Sequence, residues 1–166
     1  MLDSRVPFYN LLDLIKEVGT PSVLIVDDED KNIQILGAFF NSHSKYIVNV
    51  AKDGKKAVEN LEKKHFDLIL MDVNMPIMNG FDAVKEMREK GLLTATTIIF
   101  LSAEKDLSQI LTGLNLGVPD YITKPFNLEE LGPKIEYHIR VRLYEKFILK
   151  SLNETEGLLN NISQSI

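Results

Sequence analysis

The chain is expected to fold as an α/β domain, a doubly wound five-stranded parallel sheet with a short helix before it and a long helix after it. Two observations predict this. Five strand-like segments alternate with segments of helical periodicity, and parallel neighbours require such right-handed crossovers. The first, Ser22–Val26, is a compact, β-branched apolar run, as in a strand buried on both faces,. The length of 166 residues with 45% hydrophobic content suits one sizeable core plus an appended element,.

Taken in order, residues 8–18 are apolar at helical spacing and stop at Gly19, with Pro21 just beyond, which predicts an amphipathic N-terminal helix,. Ser22–Val26 reads as the first strand. A helix follows over about 30–41, a strand over 46–51, and a helix opened by Asp53-Gly54 that ends near His65,. The third strand is 67–71, followed by the breaker-rich loop from Asp72 to Gly80 and a helix to about Lys90,. Thr96–Leu101 is the fourth strand, 107–116 a helix and Asp120–Thr123 a brief fifth strand. Lys124-Pro125-Phe126 reads as a turn, and Asn127 caps a last helix that carries Gly132-Pro133 in its first turn and runs to about Asn161,.

Composition narrows the function classes. A net charge of -5 and a pI near 5.2 argue against a surface built to neutralise nucleic-acid phosphates,. With no cysteine there is neither a disulfide nor a thiolate metal site, and a reducing, cytoplasmic setting is expected,. No run reaches the roughly 18–20 apolar residues that span a bilayer, and residues 1–10 lack a basic region followed by an apolar one,. Neither membrane insertion nor export is expected.

In open parallel sheets ligands bind beyond the carboxyl ends of the strands, where the winding reverses. Those positions hold Asp27, Asp28 and Glu29 after the first strand, Asp72 after the third, Ser102 after the fourth and Lys124 after the fifth. Close carboxylates raise one another's pKa unless a cation sits among them, and oxygen ligands without His or Cys favour a hard ion, magnesium in the first place. An ammonium and a hydroxyl beside such an ion suit a phosphate. Taken singly, each residue has an ordinary role: Asp27 and Asp28 as helix caps, Asp72 as a loop acid, Ser102 as a cap, Lys124 as a solvated charge. Their joint placement on successive strand ends points to a site.

Val26-Asp27-Asp28-Glu29, Met71 to Gly80, Leu101-Ser102-Ala103 and Lys124-Pro125-Phe126 together resemble the signature set of response-regulator receiver domains, over roughly residues 22–140. The resemblance implies a flavodoxin-like strand order 2-1-3-4-5. It implies that Asp72 takes a phosphoryl group from a sensor histidine kinase or phosphotransfer protein. Magnesium would then be held by Asp28 directly, by Asp27 largely through water, by Asp72 and by the backbone carbonyl of Asn74. Lys124 would stabilise the transferring oxygens. Ser102 and Tyr121 would form the hydroxyl and aromatic pair that moves after phosphorylation, while the side chains of Asn74 and Glu104 would govern how long the phosphate lasts. Tyr121 also reads as a packed strand aromatic, Asn74 as a loop residue and Glu104 as a solvated acid.

The chain divides into an N-terminal helical extension (1–20), a receiver unit (21–140) and a C-terminal helical linker (141–166). Val141, Tyr144, Ile148, Thr155, Leu158 and Ile162 sketch an imperfect seam, interrupted at Ser151, suited to a homodimeric coiled coil,. Basic residues 140–150 alternate with glutamates and read as a solvated helix face,. Two other functions compete. A magnesium-dependent phosphohydrolase with an aspartyl nucleophile needs a substrate-capping insert and an acid two residues after Asp72, where Asn74 stands,. A degenerate receiver serving only for docking has no use for the acids, Ser102 and Lys124.

Overall fold

The structure, a computed structural model, describes residues 9–43, 45–103 and 107–164. Five parallel strands, β1 (Ser22–Val26), β2 (Ile47–Ala51), β3 (Leu68–Asp72), β4 (Thr97–Ala103) and β5 (Asp120–Lys124), form one sheet in the order β2-β1-β3-β4-β5. The helices are α1 (Leu11–Val18), α2 (Asp30–His43), α3 (Gly54–Lys63), α4 (Gly80–Glu89), α5 (Leu107–Asn115) and α6 (Leu128–Gln164). This is the expected doubly wound α/β fold, with its winding reversed between β1 and β3,.

Alternate residues of each central strand face opposite cores. Leu24, Val26, Ile69, Met71 and Phe100 pack with α3 and α4 residues such as Val58, Leu61, Val84 and Met87. Val23, Ile25, Leu68, Leu70, Ile99 and Ile122 pack with α1, α2 and α6. Burial on both sides explains why these strands are unbroken apolar runs.

Helix α1 is capped by the Asn10 side chain, which accepts from the Asp13 N–H at 3.0 Å, and stops at Gly19, where φ is 92°,. It buries Leu11 and Leu14 in the second core and lies against α6 of the same chain. There the Tyr144 hydroxyl donates to the Tyr9 carbonyl at 2.9 Å, the Tyr9 and Phe147 rings are 5.0 Å apart, and Lys150 donates to the Glu17 carbonyl at 3.0 Å.

Helix α6 is continuous through 37 residues, about 55 Å at 1.5 Å per residue,. Asn127 caps it, accepting from the Glu129 N–H at 2.9 Å. Pro133 lies in its second turn rather than its first and is carried inside the helix. Leu143 is fully buried, so the core extends past residue 140 along an unbroken helix. Tyr144 leaves the expected seam because it faces α1. The exposed apolar residues of the distal half are Ile148, Leu149, Leu152, Leu158, Leu159 and Ile162. Among the described residues, no helix is long and apolar enough to cross a membrane.

Candidate functional site

The sheet register brings the strand ends together. Val26 pairs with Met71, Asp72 with Leu101, Ser102 with Thr123 and Ala103 with Lys124. Strand β4 runs two residues further than its apolar pattern indicates, so Ser102 lies within it, and Lys124 is the last residue of β5.

Asp27 leaves β1 with its N–H donating to the Ala51 carbonyl at 3.1 Å, and its side chain is fully buried. Its Oδ1 accepts from the Glu29 N–H at 2.9 Å and from Asn32 Nδ2 at 3.2 Å, which starts α2. Its Oδ2 lies 2.8 Å from the Lys124 ammonium. The turn into α2 and the acidic group therefore share one carboxylate. Asp72, 4% exposed, reaches Lys124 with Oδ2 at 3.0 Å and accepts the Asn74 N–H on Oδ1 at 3.3 Å. Asp27, Asp28 and Asp72 each offer a carboxylate oxygen within 4.8 Å of the others. Asp28 is the exposed member. Glu29 turns away into the start of α2 and is not part of this group.

Burial pushes the Asp72 carboxyl up to about 6, with the Asp27 charge adding to it, while Lys124 and the Asn74 N–H pull it back,. Burial alone would lower Lys124, but its hydrogen bond to Asp27 and the attraction of Asp72 raise it, so the ammonium stays charged,. One lysine against three carboxylates leaves the cluster short of positive charge. An all-oxygen, acid-rich donor set of this kind fits a hard divalent cation such as magnesium,.

Two glycines that sequence reasoning took only as a helix opening and a loop breaker shape this edge. The Gly80 N–H donates to the Val73 carbonyl at 2.9 Å, and a Cβ there would stand 2.3 Å from the Asp72 carbonyl oxygen. The Gly54 N–H donates to the Met78 carbonyl at 3.1 Å, with a Cβ at 2.7 Å from that oxygen. Both clamp the loop after β3. At its tip Ile77, 80% exposed, has φ of 70°, a conformation costly for a β-branched residue, and the Met78 N–H donates across it to the Pro76 carbonyl at 2.8 Å,.

Ser102 is 2% exposed, and its hydroxyl has no hydrogen-bond partner among the described residues. Tyr121 stands half-buried on β5, three residues before Lys124 and its cis peptide bond to Pro125. Asn74 is exposed, and its side-chain oxygen accepts from Gln109 Nε2 of α5 at 3.3 Å. The structure thus brings carboxylate oxygens of Asp27, Asp28 and Asp72 within 4.8 Å of one another, puts Lys124 against Asp27 and Asp72, sets Ser102 one register step beyond the partner of Asp72, and keeps Tyr121 on the same strand as Lys124. The expected role of Glu104 lies outside the described residues.

A carboxylate cluster at the switch point of a 2-1-3-4-5 sheet, answered by a lysine from the last strand, makes a candidate ion-binding site on a doubly wound α/β domain,. Comparison with known proteins gives the family. The chain matches the response regulator receiver domain over residues 23–136 and belongs to that family. It is 34% identical over 122 residues to the response regulator ArlR of Staphylococcus epidermidis, covering 72% of this chain and 52% of that protein. It is 36% identical over 118 residues to the transcriptional regulatory protein DltR of Streptococcus agalactiae, covering 71% and 51%. The chain therefore spans about half the length of these relatives. Among solved structures, the chemotaxis response regulator CheY4 of Vibrio cholerae superposes with a TM-score of 0.66 at 33% identity, over 72% of this chain and 98% of that one. A complex of the histidine phosphotransfer protein Ypd1 of Saccharomyces cerevisiae with the receiver domain of Ssk1 matches with a TM-score of 0.65 at 32% identity, over 70% and 86%.

Proposed function

We propose that this receiver domain accepts a phosphoryl group on Asp72 from the phosphohistidine of a sensor histidine kinase or phosphotransfer protein, and relays the change through Ser102, Tyr121 and α6 to an output. The observation that carries the reading is the Lys124 ammonium shared between Asp72 at 3.0 Å and Asp27 at 2.8 Å beside the three-carboxylate group.

An Asp72 carboxylate oxygen attacks phosphorus in line as the histidine nitrogen–phosphorus bond breaks, and the imidazole keeps the electron pair and takes up a proton. The product is a mixed acyl phosphate. Lys124, freed from part of its attraction to Asp72, balances charge on the phosphoryl oxygens. Asp27, Asp28, Asp72 and the Asn74 carbonyl are the groups that would hold magnesium, which when bound supplies charge neutralisation for the phosphoryl oxygens. The Ser102 hydroxyl, buried without a partner, is suited to donate to the new phosphate,. Tyr121 follows it inward, and the side chains of Asn74 and Glu104 set how fast water removes the phosphate.

A phosphohistidine donor is supported by the resemblance to the Ssk1 receiver, solved with its phosphotransfer partner. The exposed residues Ile148, Leu152, Leu159 and Ile162, with Thr155 at the place between Leu152 and Leu159, follow alternating four and three spacing and suit a homodimer through α6,. We place the protein in the cytoplasm, without direct contact to nucleic acid by this segment. Intact mass after incubation with acetyl phosphate and magnesium tests the acceptor. The parent gains one phosphoryl group and Asp72→Asn gains none; an equal gain in both overturns the assignment. Light scattering with beryllofluoride, a phosphoryl mimic, tests the dimer, which an unchanged mass would refute.

A further inference from the structure

Tyr121 lines a cavity of about 10 Å³ together with Ser102, Phe100 and Gly113. That is no more than the room one water takes, so the ring cannot turn inward unless α5 retreats. A Cβ on Gly113 would already stand 2.8 Å from Phe100 Cδ2, which shows how tightly α5 lies on β4.

On its outer side the ring has a partner that the phosphoryl chemistry does not use. The Lys134 ammonium of α6 lies 4.9 Å from the Tyr121 ring centroid, within cation–π range. Three acceptors fix that ammonium: the Tyr121 carbonyl at 2.7 Å, Asp120 Oδ1 at 3.1 Å and Glu130 Oε1 at 3.2 Å. Asp120 is bracketed in turn by His138 Nε2 at 3.0 Å and by the Tyr121 N–H at 2.8 Å. Burial would lower Lys134 and raise Asp120, yet hydrogen bonds from His138, the Tyr121 N–H and Lys134 lower Asp120, and bonds to Asp120 and Glu130 raise Lys134,. Pro133, immediately before Lys134, lacks the N–H that would bond the Glu129 carbonyl, which loosens the turn carrying the lysine,.

We propose that Lys134 is a positioning residue that holds the Tyr121 ring outward in the resting protein, with Asp120 and His138 bracing it. The inward turn of the ring and the release of the first two turns of α6 from β5 then become one event. This rests on reading Tyr121 as the ring that responds to phosphorylation, but it concerns the unphosphorylated protein and can be tested there.

The test uses the full chain with 3-fluorotyrosine, the Tyr121 signal being assigned by its loss in Tyr121→Phe. The fluorine isotope shift between H2O and D2O reports exposure of the ring. Lys134→Met, which keeps an apolar stem and loses the charge, is expected to reduce that shift, because a cation–π contact accounts for a roughly 3- to 10-fold rotamer bias. It is also expected to strengthen beryllofluoride binding by about the same factor, while Lys134→Arg stays near the parent in both. In a Tyr121→Ala background Lys134→Met should change beryllofluoride affinity less than about two-fold. An unmoved Tyr121 signal in folded Lys134→Met overturns the proposal, as does an undiminished affinity effect without the ring. If Lys134→Met does not fold, Lys134→Gln is read by the same outcomes. Failure of the parent to gain mass at Asp72 would remove the acceptor reading, yet the isotope shift would still decide the role of Lys134.

Discussion

Strand β3 is flanked by a buried aspartate at each end, and the two are treated differently. Asp67, at the base of the sheet, is 1% exposed; its Oδ2 accepts from the Ser22 N–H at 2.8 Å and the Ser22 hydroxyl at 3.2 Å, and its Oδ1 lies 2.5 Å from Lys146. The buried Arg142 adds a second positive charge, acting on Asp67 from α6 and pairing with Glu145. One carboxylate meets two cations and two donors. Asp72, at the other end, shares one lysine with Asp27 and stands next to Asp28 as well. The base is compensated and ties α6 to the sheet. The top is left with surplus negative charge, which suits a divalent cation,. Both are buried aspartates at the ends of one strand, and the count of compensating charges separates the fastening from the candidate site.

The comparison can be broken at several points. The largest effect is expected at the base: Asp67→Ala strands Arg142 and Lys146 and leaves Ser22 without its acceptor, costing roughly 2–4 kcal/mol. Urea unfolding measures it, and phosphoryl uptake per folded molecule should be unchanged. Were uptake to fall with stability intact, the base would be part of the chemistry. Gly80→Ala should come next, with a loss of about 2–3 kcal/mol from overpacking against the Asp72 carbonyl and a drop of at least about ten-fold in phosphorylation rate. Stability at parent level there would mean that the loop gives way easily.

Smaller effects sharpen the electrostatic half. With its folded pKa raised to about 6 from 3.8, Asp72 binds a proton more tightly in the folded state. Its contribution to stability is therefore present below about pH 4 and lost as pH rises through about 6. Metal-free protein should lose about 1–2 kcal/mol over that window, a figure reduced because the site opens to water. Asp72→Asn should remove the slope and be the more stable protein at pH 7, whereas added magnesium should stabilise the parent and not the variant. Thermal melts at several pH values with a chelator, then with magnesium, decide this; a parent slope unchanged by Asp72→Asn would place the uncompensated charge elsewhere. Last, Ile77→Gly should stabilise by about 0.5–1 kcal/mol by relieving a positive φ on a β-branched residue,. A loss of stability would mean that the side chain is needed despite its exposure.

The central strands β1, β3 and β4 were legible because each is mainly an apolar run, and the candidate site because its residues stand at the strand ends. Where the reading stopped short, the missing information was non-local. Ser102 belongs to β4 because the register with β5 carries the ladder past the apolar stretch. Tyr144 reads as a seam residue by spacing and bonds the Tyr9 carbonyl only when the N-terminal segment folds back on α6. Gly54 and Gly80 look like ordinary punctuation until the loop after β3 presses on them. Asp67 looks like the start of a strand until α6 brings Arg142 and Lys146 beneath it.

What the amino-acid sequence determined alone was the fold class and the placing of Asp27, Asp28, Asp72, Ser102 and Lys124 at strand ends as candidate site residues, because periodicity and strand-end position are local properties. What only the tertiary structure decided was how charge is apportioned: that Lys124 is divided between two aspartates, that Asp67 is fully answered, and that Lys134 lies over Tyr121. Coulomb energy depends on distance and burial, and neither exists along a chain until it is folded.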